Sequence, residues 1–207
     1  VILLPPILEQ KRIVKILDET FEKLEKVKEN TEKNLYDSKE LFESYIQSIF
    51  TNPKKGWEEK RLGDLGKVSM CKRVFKEQTT KSGDIPFYKI GTFGKEPDAF
   101  ITQELFENYR KKFSFPEIGD VLLSASGTIG RKVIYDGKPA YFQDSNIIWL
   151  EHDESKALNS FLFFLYDTIQ WQTEGSTIKR LYNNLFLKKV VPVPPISEQK
   201  QIVEILS

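Results

Sequence analysis

The sequence predicts an α+β fold: a long coiled-coil helix, then a globular domain with a mixed β-sheet, then the start of a second long helix. Three observations support this fold class. Residues 7–50 contain neither Gly nor Pro and carry apolar side chains at alternating steps of three and four. From Trp57 to Pro192 the pattern changes to short runs of β-branched and aromatic residues. Finally, the segment Leu4–Leu17 returns as Val193–Leu206, with identical residues at ten of the fourteen positions.

The apolar stripe along residues 7–50 predicts a coiled coil. It is polar near its middle, and its predicted seam residues are Val14, Leu17, Phe21, Leu24, Leu35, Phe42, Tyr45 and Ile49. A single helix cannot bury such a stripe on itself, so it needs another helix. At 1.5 Å per residue the helix would be roughly 60 Å long. Because Pro53 and Gly56 end the pattern, we assign residues 1–52 to a spacer and dimerisation helix.

The globular domain is assigned to residues 53–192. Its predicted strands are Lys67–Met70, Pro86–Ile90, Asp120–Ser124, Arg131–Tyr135, Asn146–Leu150 and Leu187–Val193. Asp136-Gly137 predicts a hairpin turn between two such runs. Thr102–Phe113 and Leu158–Gln172 are predicted helices, and Asn159 or Ser160 would cap the second. Because strands and helices do not alternate regularly, we expect no doubly wound parallel sheet.

The repeated segment predicts two equivalent helix starts. Pro194-Pro195 fixes an extended approach, and a helix begins at or near Ser197 with the apolar spacing of the first copy. Residues 193–207 are therefore assigned to the truncated start of a second long helix. The chain is one period of a longer repeat, and Val1 in place of Met suggests a piece of a longer protein.

Composition and charge restrict the class of protein. A hydrophobic content of 40% allows a sizeable core, no apolar run is long enough to span a bilayer, and no secretory signal opens the chain. Cys71 and His152 are the single residues of their types, which argues against a disulfide framework and a zinc site and fits a reducing compartment. The formal net charge is +1, so a surface for nucleic acid would have to be gathered by folding.

Several motifs then occur in an informative order. The pattern PPxxEQxxIVxxL occurs in Leu4–Leu17 and Val193–Leu206, and between the two copies lie Trp57–Ser69 (WEEKRLGDLGKVS), Gly119–Arg131 (GDVLLSASGTIGR) and Gly175–Leu185 (GSTIKRLYNNL). Together they resemble the specificity subunit of a type I restriction–modification system. In that family two target-recognition domains alternate with two long helices that pack antiparallel, and each domain reads one half of a bipartite DNA target. The resemblance covers essentially the whole chain, with one recognition domain instead of two.

The resemblance implies a non-catalytic, DNA-binding subunit of the prokaryotic cytoplasm. It would dock methyltransferase subunits, which hold S-adenosylmethionine and methylate adenine, and a restriction subunit, which uses ATP and Mg. No cofactor is expected on this chain. With one recognition domain per chain, we expect a homodimer in which two long helices pair antiparallel about a two-fold axis.

The glycine-rich stretch Ser124–Lys132 is the first candidate for DNA contact. Small residues let backbone N–H groups approach a phosphate, Ser126 and Thr128 add hydroxyl groups, and Arg131 and Lys132 add charge. The alternative is a tight glycine turn between two core strands. The stretch has neither the spacing of a P-loop nor the Gly that a nucleophile elbow requires at position 124.

Two further stretches carry basic and hydroxyl groups. The first offers Ser176, Thr177, Lys179 and Arg180, followed by Asn183, and its alternative is a solvated loop. The second group comprises Lys72, Arg73, Lys89 and Thr92, close to aromatic residues that would form either a DNA-facing surface or part of the core.

A polar stretch at residues 143–146 is the last candidate. Gln143 and Asn146 carry amides, which can bond adenine in two places. Asp144 between them would accept a hydrogen bond from cytosine or cap a turn. Elsewhere, His152 is expected in a solvated loop, and Cys71 is expected to be a packed side chain instead of a reactive thiol.

Two other functions remain open at this point. A coiled-coil adaptor whose globular domain binds protein fits the absence of a basic excess. The recognition segment of a single-chain methyltransferase–nuclease would also carry such a domain, although such an enzyme need not repeat the helix start. The sequence contains no Asn-Pro-Pro-aromatic methyltransferase motif and no Walker A loop.

Overall fold

The computed structural model describes residues 4–175 and 179–207. The chain divides into two compact units, a first unit Val1–Gln47 and a second unit Ser48–Ser207. The helices are α1 (Ile7–Thr51), α2 (Leu62–Leu65), α3 (Gln103–Lys112), α4 (Asn159–Leu165), α5 (Asn183–Lys188) and α6 (Ile196–Leu206). The strands are β1 (Glu58–Arg61), β2 (Gly66–Ser69), β3 (Ile85–Tyr88), β4 (Phe100–Ile101), β5 (Val121–Ser124), β6 (Lys132–Ile134), β7 (Tyr141–Phe142), β8 (Ile147–His152) and β9 (Val190–Val193).

Helix α1 is a single uninterrupted helix of 45 residues, about 68 Å long at 1.5 Å per residue. The prediction of a long helix is therefore confirmed. Its seam residues Val14, Leu17, Phe21, Leu24, Leu35, Phe42 and Tyr45 are 44–62% exposed, and Ile49 is half-buried. A helix that leaves this much apolar surface in water needs a partner to cover it.

The last residues of α1 belong to the second unit. Phe50 is buried there, with its ring centroid 6.3 Å from that of Trp57 and 5.5 Å from that of Phe161. Pro53 and Gly56 follow the helix end, and Gly56 has a φ of +99°, a left-handed conformation that glycine adopts without strain. The last turn of α1 thus contributes to the aromatic core of the second unit.

In the described part of the second unit, three sheets form the framework. The largest has the strand order β2-β8-β5-β6 and is antiparallel throughout. The second has the order β4-β3-β7, in which β3 and β7 are parallel, and the third pairs β1 with β9. The α+β class and the absence of a doubly wound parallel sheet are confirmed.

The core lies on the central strands of the largest sheet. All four residues of β5 are buried, and so are the first four of β8. Each fully buried aliphatic or aromatic side chain contributes roughly 1.5–3 kcal/mol. Aromatic residues from β3, β7 and β8 fill the space between the sheets, with Phe87, Tyr141 and Trp149 at most 4% exposed. This packing fixes the ends of the strands from which the candidate loops leave.

The repeated segment forms the same local structure twice. Gln10 Nε2 donates to Pro5 O at 2.7 Å, and Gln199 Nε2 donates to Pro194 O at 2.9 Å. The backbone N–H groups of both glutamines bond the preceding proline carbonyl, that of Pro6 in one copy and of Pro195 in the other, at 3.0 Å. The predicted pair of equivalent helix starts is confirmed. The second helix begins at Ile196, one residue before the predicted position.

Two predicted elements are wrong in part. Leu187–Val193 is not one strand, because α5 continues to Lys188 and only Val190–Val193 pairs, with β1. Phe186 is fully buried on α5, so tertiary packing overrides the strand propensity of this run. The predicted helix Leu158–Gln172 begins at Asn159, ends at Leu165 and passes into a 3-10 turn, Tyr166–Thr168. The residue that precedes the helix is Leu158, which provides no side-chain cap, so the predicted cap at Asn159 or Ser160 is wrong.

The Asp136-Gly137 turn exists but does not form a hairpin. Lys138 N donates to Asp136 Oδ1 at 3.0 Å, and Gly137 has a φ of +85°. The strands on either side pair elsewhere, however, since β6 joins β5 and β7 joins β3. The chain therefore changes sheets at this turn. Within the part of the chain that the structure describes, no helix has the length and hydrophobicity of a membrane-spanning segment.

Candidate nucleic-acid interface

Five loops that are distant in sequence meet at one place in the second unit, and we call them the loop cluster. They are residues 71–75, 89–95, 124–131, 143–146 and 174–181, of which 176–178 lie outside the described residues. Each pair of neighbouring loops is joined by hydrogen bonds. The structure therefore brings most of the sequence-predicted candidates together. The exceptions are Lys132, Asn183, which begins α5, and Ser176 and Thr177, which are not described.

The glycine-rich stretch is a tight turn between two paired strands, the alternative considered above. Gly127 and Gly130 have φ of +65° and +87°. The backbone N–H groups of Ile129, Gly130 and Arg131 all donate to carbonyl groups within the turn, at 3.0–3.2 Å. These three groups are therefore not free to bind phosphate, and the glycines serve the turn itself.

Arg131 links this turn to the neighbouring loop. Its Nη1 donates to Phe93 O at 3.1 Å, and its Nη2 donates to Thr128 Oγ1 at 3.2 Å. In that neighbouring loop Thr92 Oγ1 accepts from Lys89 N at 3.2 Å. The hydroxyl groups proposed for phosphate contact thus also order the loops that carry them.

The polar turn 143–146 lies between the other loops. Gln143 Oε1 accepts from Ile90 N at 2.9 Å, Asp144 pairs with Arg73 at 2.8 Å, and Asn146 Oδ1 accepts from Ser126 Oγ at 2.7 Å. Each of these side chains is held by a different loop. The amide oxygens of Gln143 and Asn146 each keep a second lone pair, and their orientation is fixed by the bond that they accept.

Ser145 in the same turn has a φ of 53°, the one positive value among non-glycine residues that the structure describes. The left-handed region costs an L-residue roughly 1–2 kcal/mol. The Ser145 carbonyl receives a hydrogen bond from Arg180 Nη2. Arg180 therefore supports a strained turn, a role that no sequence pattern at position 145 indicates.

Residues 174–181 close the cluster. The backbone of Arg180 forms isolated antiparallel β-bridges with those of Glu174 and Ser126. Leu181 N donates to Ala125 O at 2.8 Å. Lys179 is exposed next to Arg180, and Asn183 is exposed at the start of α5. Four of the predicted cations, Lys72, Arg131, Lys179 and Arg180, have no carboxylate partner within the described part of the chain.

Other predicted cations are already paired. Arg73 bonds Asp144, and Lys89 Nζ lies 2.9 Å from Asp98 Oδ1, so the nitrogens that form these pairs would have to exchange partners to contact DNA. Lys72 is exposed and its Nζ lies 5.1 Å from the centroid of the Phe113 ring. The positive charge of the cluster is therefore smaller than the count of basic residues suggests.

Lys132 does not belong to the loop cluster. Its side chain is 9% exposed, and its ammonium contacts the Asp167 carboxylate and the Phe163 carbonyl. Burial lowers the pKa of Lys132, and the hydrogen bond with Asp167 opposes that shift. Since successive side chains of a strand point to opposite faces, Arg131 and Lys132 diverge where β6 begins. Lys132 would therefore have to leave Asp167 to contact DNA, and its contact with DNA stays a prediction.

Cys71 and His152 have structural positions. Cys71 is packed as expected, and burial raises the pKa of its thiol to about 12. His152 is not in a solvated loop: it ends β8, half-buried, with Nδ1 2.9 Å from Leu150 O and Nε2 2.7 Å from Ala157 O. Among the described residues, no group of His, Cys, Asp and Glu is arranged to hold a metal ion.

Comparison with known proteins gives one family. Residues 54–207 match the profile described as the type I restriction modification DNA specificity domain. A putative type I restriction enzyme specificity subunit from Haemophilus influenzae is 47% identical over 98% of this chain and 54% of its own length. The putative MjaX specificity subunit from Methanocaldococcus jannaschii is 28% identical over 73% of this chain and 39% of its own length.

Solved structures have the same fold at low sequence identity. A chain from a study of complex assembly and conformational transition in the type I R-M system superposes with a TM-score of 0.72 at 20% identity, covering 98% of this chain and 52% of that one. The HsdS subunit from Thermoanaerobacter tengcongensis gives a TM-score of 0.59 at 20% identity, covering 98% of this chain and 51% of that one. The chain spans about half the length of the first relatives it matches. From the profile match and the 47% identity, the chain belongs to the family of type I restriction–modification specificity proteins.

Proposed function

We propose that this chain recognises a specific sequence in double-stranded DNA as a type I restriction–modification specificity subunit and performs no chemistry itself. Family membership carries the proposal. The loop cluster supports it, because five loops there hold amide, hydroxyl and guanidinium groups in fixed orientations. Such groups can contact base edges and phosphates without reorganising first.

Gln143 and Asn146 are the proposed base-reading residues. In each, the oxygen accepts one hydrogen bond from the protein, which fixes the plane of the amide and directs its NH₂ group away from that bond. An amide held in this way can donate to adenine N7 and accept from adenine N6. Lys72 and Lys179 are exposed within loops of the cluster, and Asn183 is exposed two residues after the last loop. All three are proposed to contact phosphates.

We also propose that two copies pair through α1. The exposed seam supports this, since a two-fold antiparallel pair would cover both seams with one interface. Two copies would then supply two recognition units, matching in number of residues the relatives that are about twice as long. Each unit would read one half of a bipartite target. The paired helices would dock methyltransferase subunits, which carry S-adenosylmethionine. A restriction subunit would bring ATP and Mg.

A protein-binding adaptor is the second candidate, and the exposed seam together with the net charge of +1 favours it. The third candidate, a segment of a single-chain methyltransferase–nuclease, receives no support from relatives that are named specificity subunits.

A selection from randomised duplexes, with the partner methyltransferase present, tests DNA recognition directly. We expect the enriched duplexes to share a defined motif. Their affinity should fall steeply as salt rises: in a plot of the logarithm of the binding constant against the logarithm of the salt concentration, each neutralised phosphate contributes a slope of about −0.9. Weak binding that is independent of salt and of sequence would support the adaptor instead.

The charge of the loop cluster gives a second test. Arg131 and Arg180 bond backbone carbonyls, so reversing their charge would also loosen the loops. Lys72→Glu with Lys179→Glu is cleaner, because both side chains are exposed. We expect weaker binding to every duplex and a salt slope that is smaller by about one for each phosphate that the variant no longer neutralises.

The matched control is Lys26→Glu with Lys33→Glu, which makes the same change of net charge on exposed positions of the first unit outside the seam. It should bind DNA nearly as the parent does. If both double variants lose the same affinity, the effect comes from net charge and the loop cluster is not the contact surface.

A further inference from the structure

Arg73 and Asp144 form an ion pair between two loops of the loop cluster. Arg73 Nε donates to Asp144 Oδ2 at 2.8 Å. The side chain of Asp144 is 16% exposed, and that of Arg73 is 60% exposed. Within the part of the chain that the structure describes, neither Nη group of Arg73 has a hydrogen-bond partner. The carboxylate therefore holds one edge of the guanidinium group and leaves the two Nη groups unused.

The backbone that carries Arg73 is fixed as well. Cys71 and Val74, on either side of it, are 2% and 9% exposed. The Lys72 carbonyl accepts a hydrogen bond at 3.1 Å from the hydroxyl group of Tyr141, a fully buried residue of β7. Because the backbone and the guanidinium group are both held, Arg73 loses less conformational entropy when it binds a ligand than a free side chain would.

Asp144 lies in sequence between the two proposed base-reading residues. Gln143 and Asn146 belong to the same turn, and each is held by a hydrogen bond from a different loop. The turn that fixes their amides also positions the carboxylate that Arg73 bonds. The Nη groups of Arg73 are thus held in relation to these two amides.

The ion pair favours an uncharged ligand over a phosphate. A phosphate oxygen that approaches the Nη groups is repelled by the carboxylate of Asp144, because like charges at short range repel each other. A base edge has no formal charge and avoids this repulsion. Two N–H donors in one plane match two neighbouring acceptors, and among the base edges of the major groove only guanine offers two, O6 and N7.

We propose that Arg73 reads guanine in the major groove of the DNA target, with its two Nη groups on O6 and N7, and that Asp144 positions it. Arg73 then adds a guanine contact to the adenine contacts proposed for Gln143 and Asn146. A bidentate pair of this kind discriminates against the wrong base by a factor of roughly 5 to 150. This inference rests on the proposed function and assigns one base of the target.

Selection from randomised duplexes, with the full chain and the partner methyltransferase, is repeated with Arg73→Gln. We expect the selected motif to keep its other positions and to lose the preference for guanine at one position, because glutamine pairs with adenine instead. Lys81→Gln is the control, since it makes the same change of net charge at an exposed position outside the loop cluster. It should select the motif of the parent.

A single atom of that guanine provides a sharper test. Replacing the guanine by 7-deazaguanine removes N7 and leaves its pairing with cytosine unchanged. In fluorescence anisotropy we expect the parent to bind the substituted duplex more weakly by about fivefold or more, and Arg73→Gln to bind the two duplexes equally. An equal loss in the parent and the variant would assign N7 to another group and overturn the proposal.

Asp144→Asn tests the positioning role. The asparagine keeps the size of the side chain and an oxygen for Arg73 Nε, but it removes the negative charge. We expect weaker discrimination of guanine, tighter binding to unrelated duplexes and a salt slope that is steeper by about 0.9, because Arg73 can then neutralise a phosphate. Uniformly weaker binding to all duplexes, without a steeper slope, would make Asp144 a purely structural residue and overturn its role.

The outcomes separate this inference from the proposed function. A parent chain that selects no motif overturns both. A motif without guanine, or one that Arg73→Gln leaves unchanged or weakens equally at every position, overturns the reading of guanine by Arg73 and leaves DNA recognition intact.

Discussion

At the scale of single residues, Gln199 is the clearest case of a buried polar group with its bonds satisfied. Its side chain is fully buried and makes hydrogen bonds with Leu158 N, Pro194 O and Lys156 O. A buried amide is stable in a core only when such partners are present, because an unpaired polar group costs about 1–3 kcal/mol.

Gln199→Ala should therefore lower the free energy of unfolding by about 1–3 kcal/mol, since Leu158 N, which is partly buried, would lose its acceptor. Urea unfolding followed by circular dichroism measures this. The control is Gln201→Ala, two residues away and exposed, which should change stability by less than about 0.5 kcal/mol. Equal effects from both would contradict the proposed role of the bonds.

Cys71 gives a prediction that depends on pH. Burial raises the pKa of its thiol to about 12, so almost no thiolate exists near neutrality. At pH 8 we expect iodoacetamide to modify the folded chain at least a hundredfold more slowly than the urea-unfolded chain, as followed by mass spectrometry. Rapid modification of the folded chain would mean that the strand ends around Cys71 open frequently.

Residues 131 and 132 show what a sequence can and cannot predict at this scale. Both are basic and both follow a glycine turn, a pattern that predicts DNA contact for either one. The structure separates them: Arg131 bonds Phe93 O, and Lys132 lies against Asp167. No local pattern contains Asp167, which is 35 residues away, so only the tertiary fold assigns the two cations to different faces.

At the scale of elements, α1 was predictable because its signals are local. The absence of Gly and Pro and the periodic apolar stripe both lie within the segment itself. Strand β1, by contrast, has the sequence EEKR, which has no strand propensity, and it forms because β9 pairs with it. Helix α5 shows the opposite case: its strand-like residues are helical because Phe186 is buried and Leu187 packs closely on Gly63.

Pairing of α1 makes a prediction at this scale. Leu24→Asp with Leu35→Asp places two charges on the seam, and we expect the chain to sediment as a monomer at micromolar concentration, because burying an unpaired carboxylate is costly. Circular dichroism should show that the second unit keeps its structure. Lys26→Gln with Lys33→Gln, which makes the same change of net charge on exposed positions outside the seam, is the control and should leave the pair intact. A dimer that survives the aspartates would show that the seam is misassigned.

At the scale of the whole molecule, the proposed pair would fix the distance between two recognition units. Two recognition units joined through helices of about 68 Å accept half-sites at one separation, at most about 20 base pairs at 3.4 Å per pair. Because B-DNA turns once in about 10.5 base pairs, five added pairs also move one half-site to the opposite side of the duplex.

We therefore expect affinity for the selected target to fall at least a hundredfold when five base pairs are inserted between its half-sites, and by less when ten are inserted and the phase is restored. Binding measured by fluorescence anisotropy on the three duplexes tests this. Equal affinity for all three would mean that the units read their sites independently, without a rigid spacer.

The pairing of β1 with β9 affects how one globular unit could be exchanged for another during evolution. Glu58 lies opposite Val193, and Arg61 opposite Val190, so the backbone enters and leaves the recognition unit at adjacent positions, one beside the end of α1 and the other beside the start of α6. A different insert whose two ends can lie side by side would connect to the same helices without moving them. Two crossovers in the gene, one in each of these strands, would then exchange the segment between them, which contains the loop cluster, while α1 and α6 stay the same.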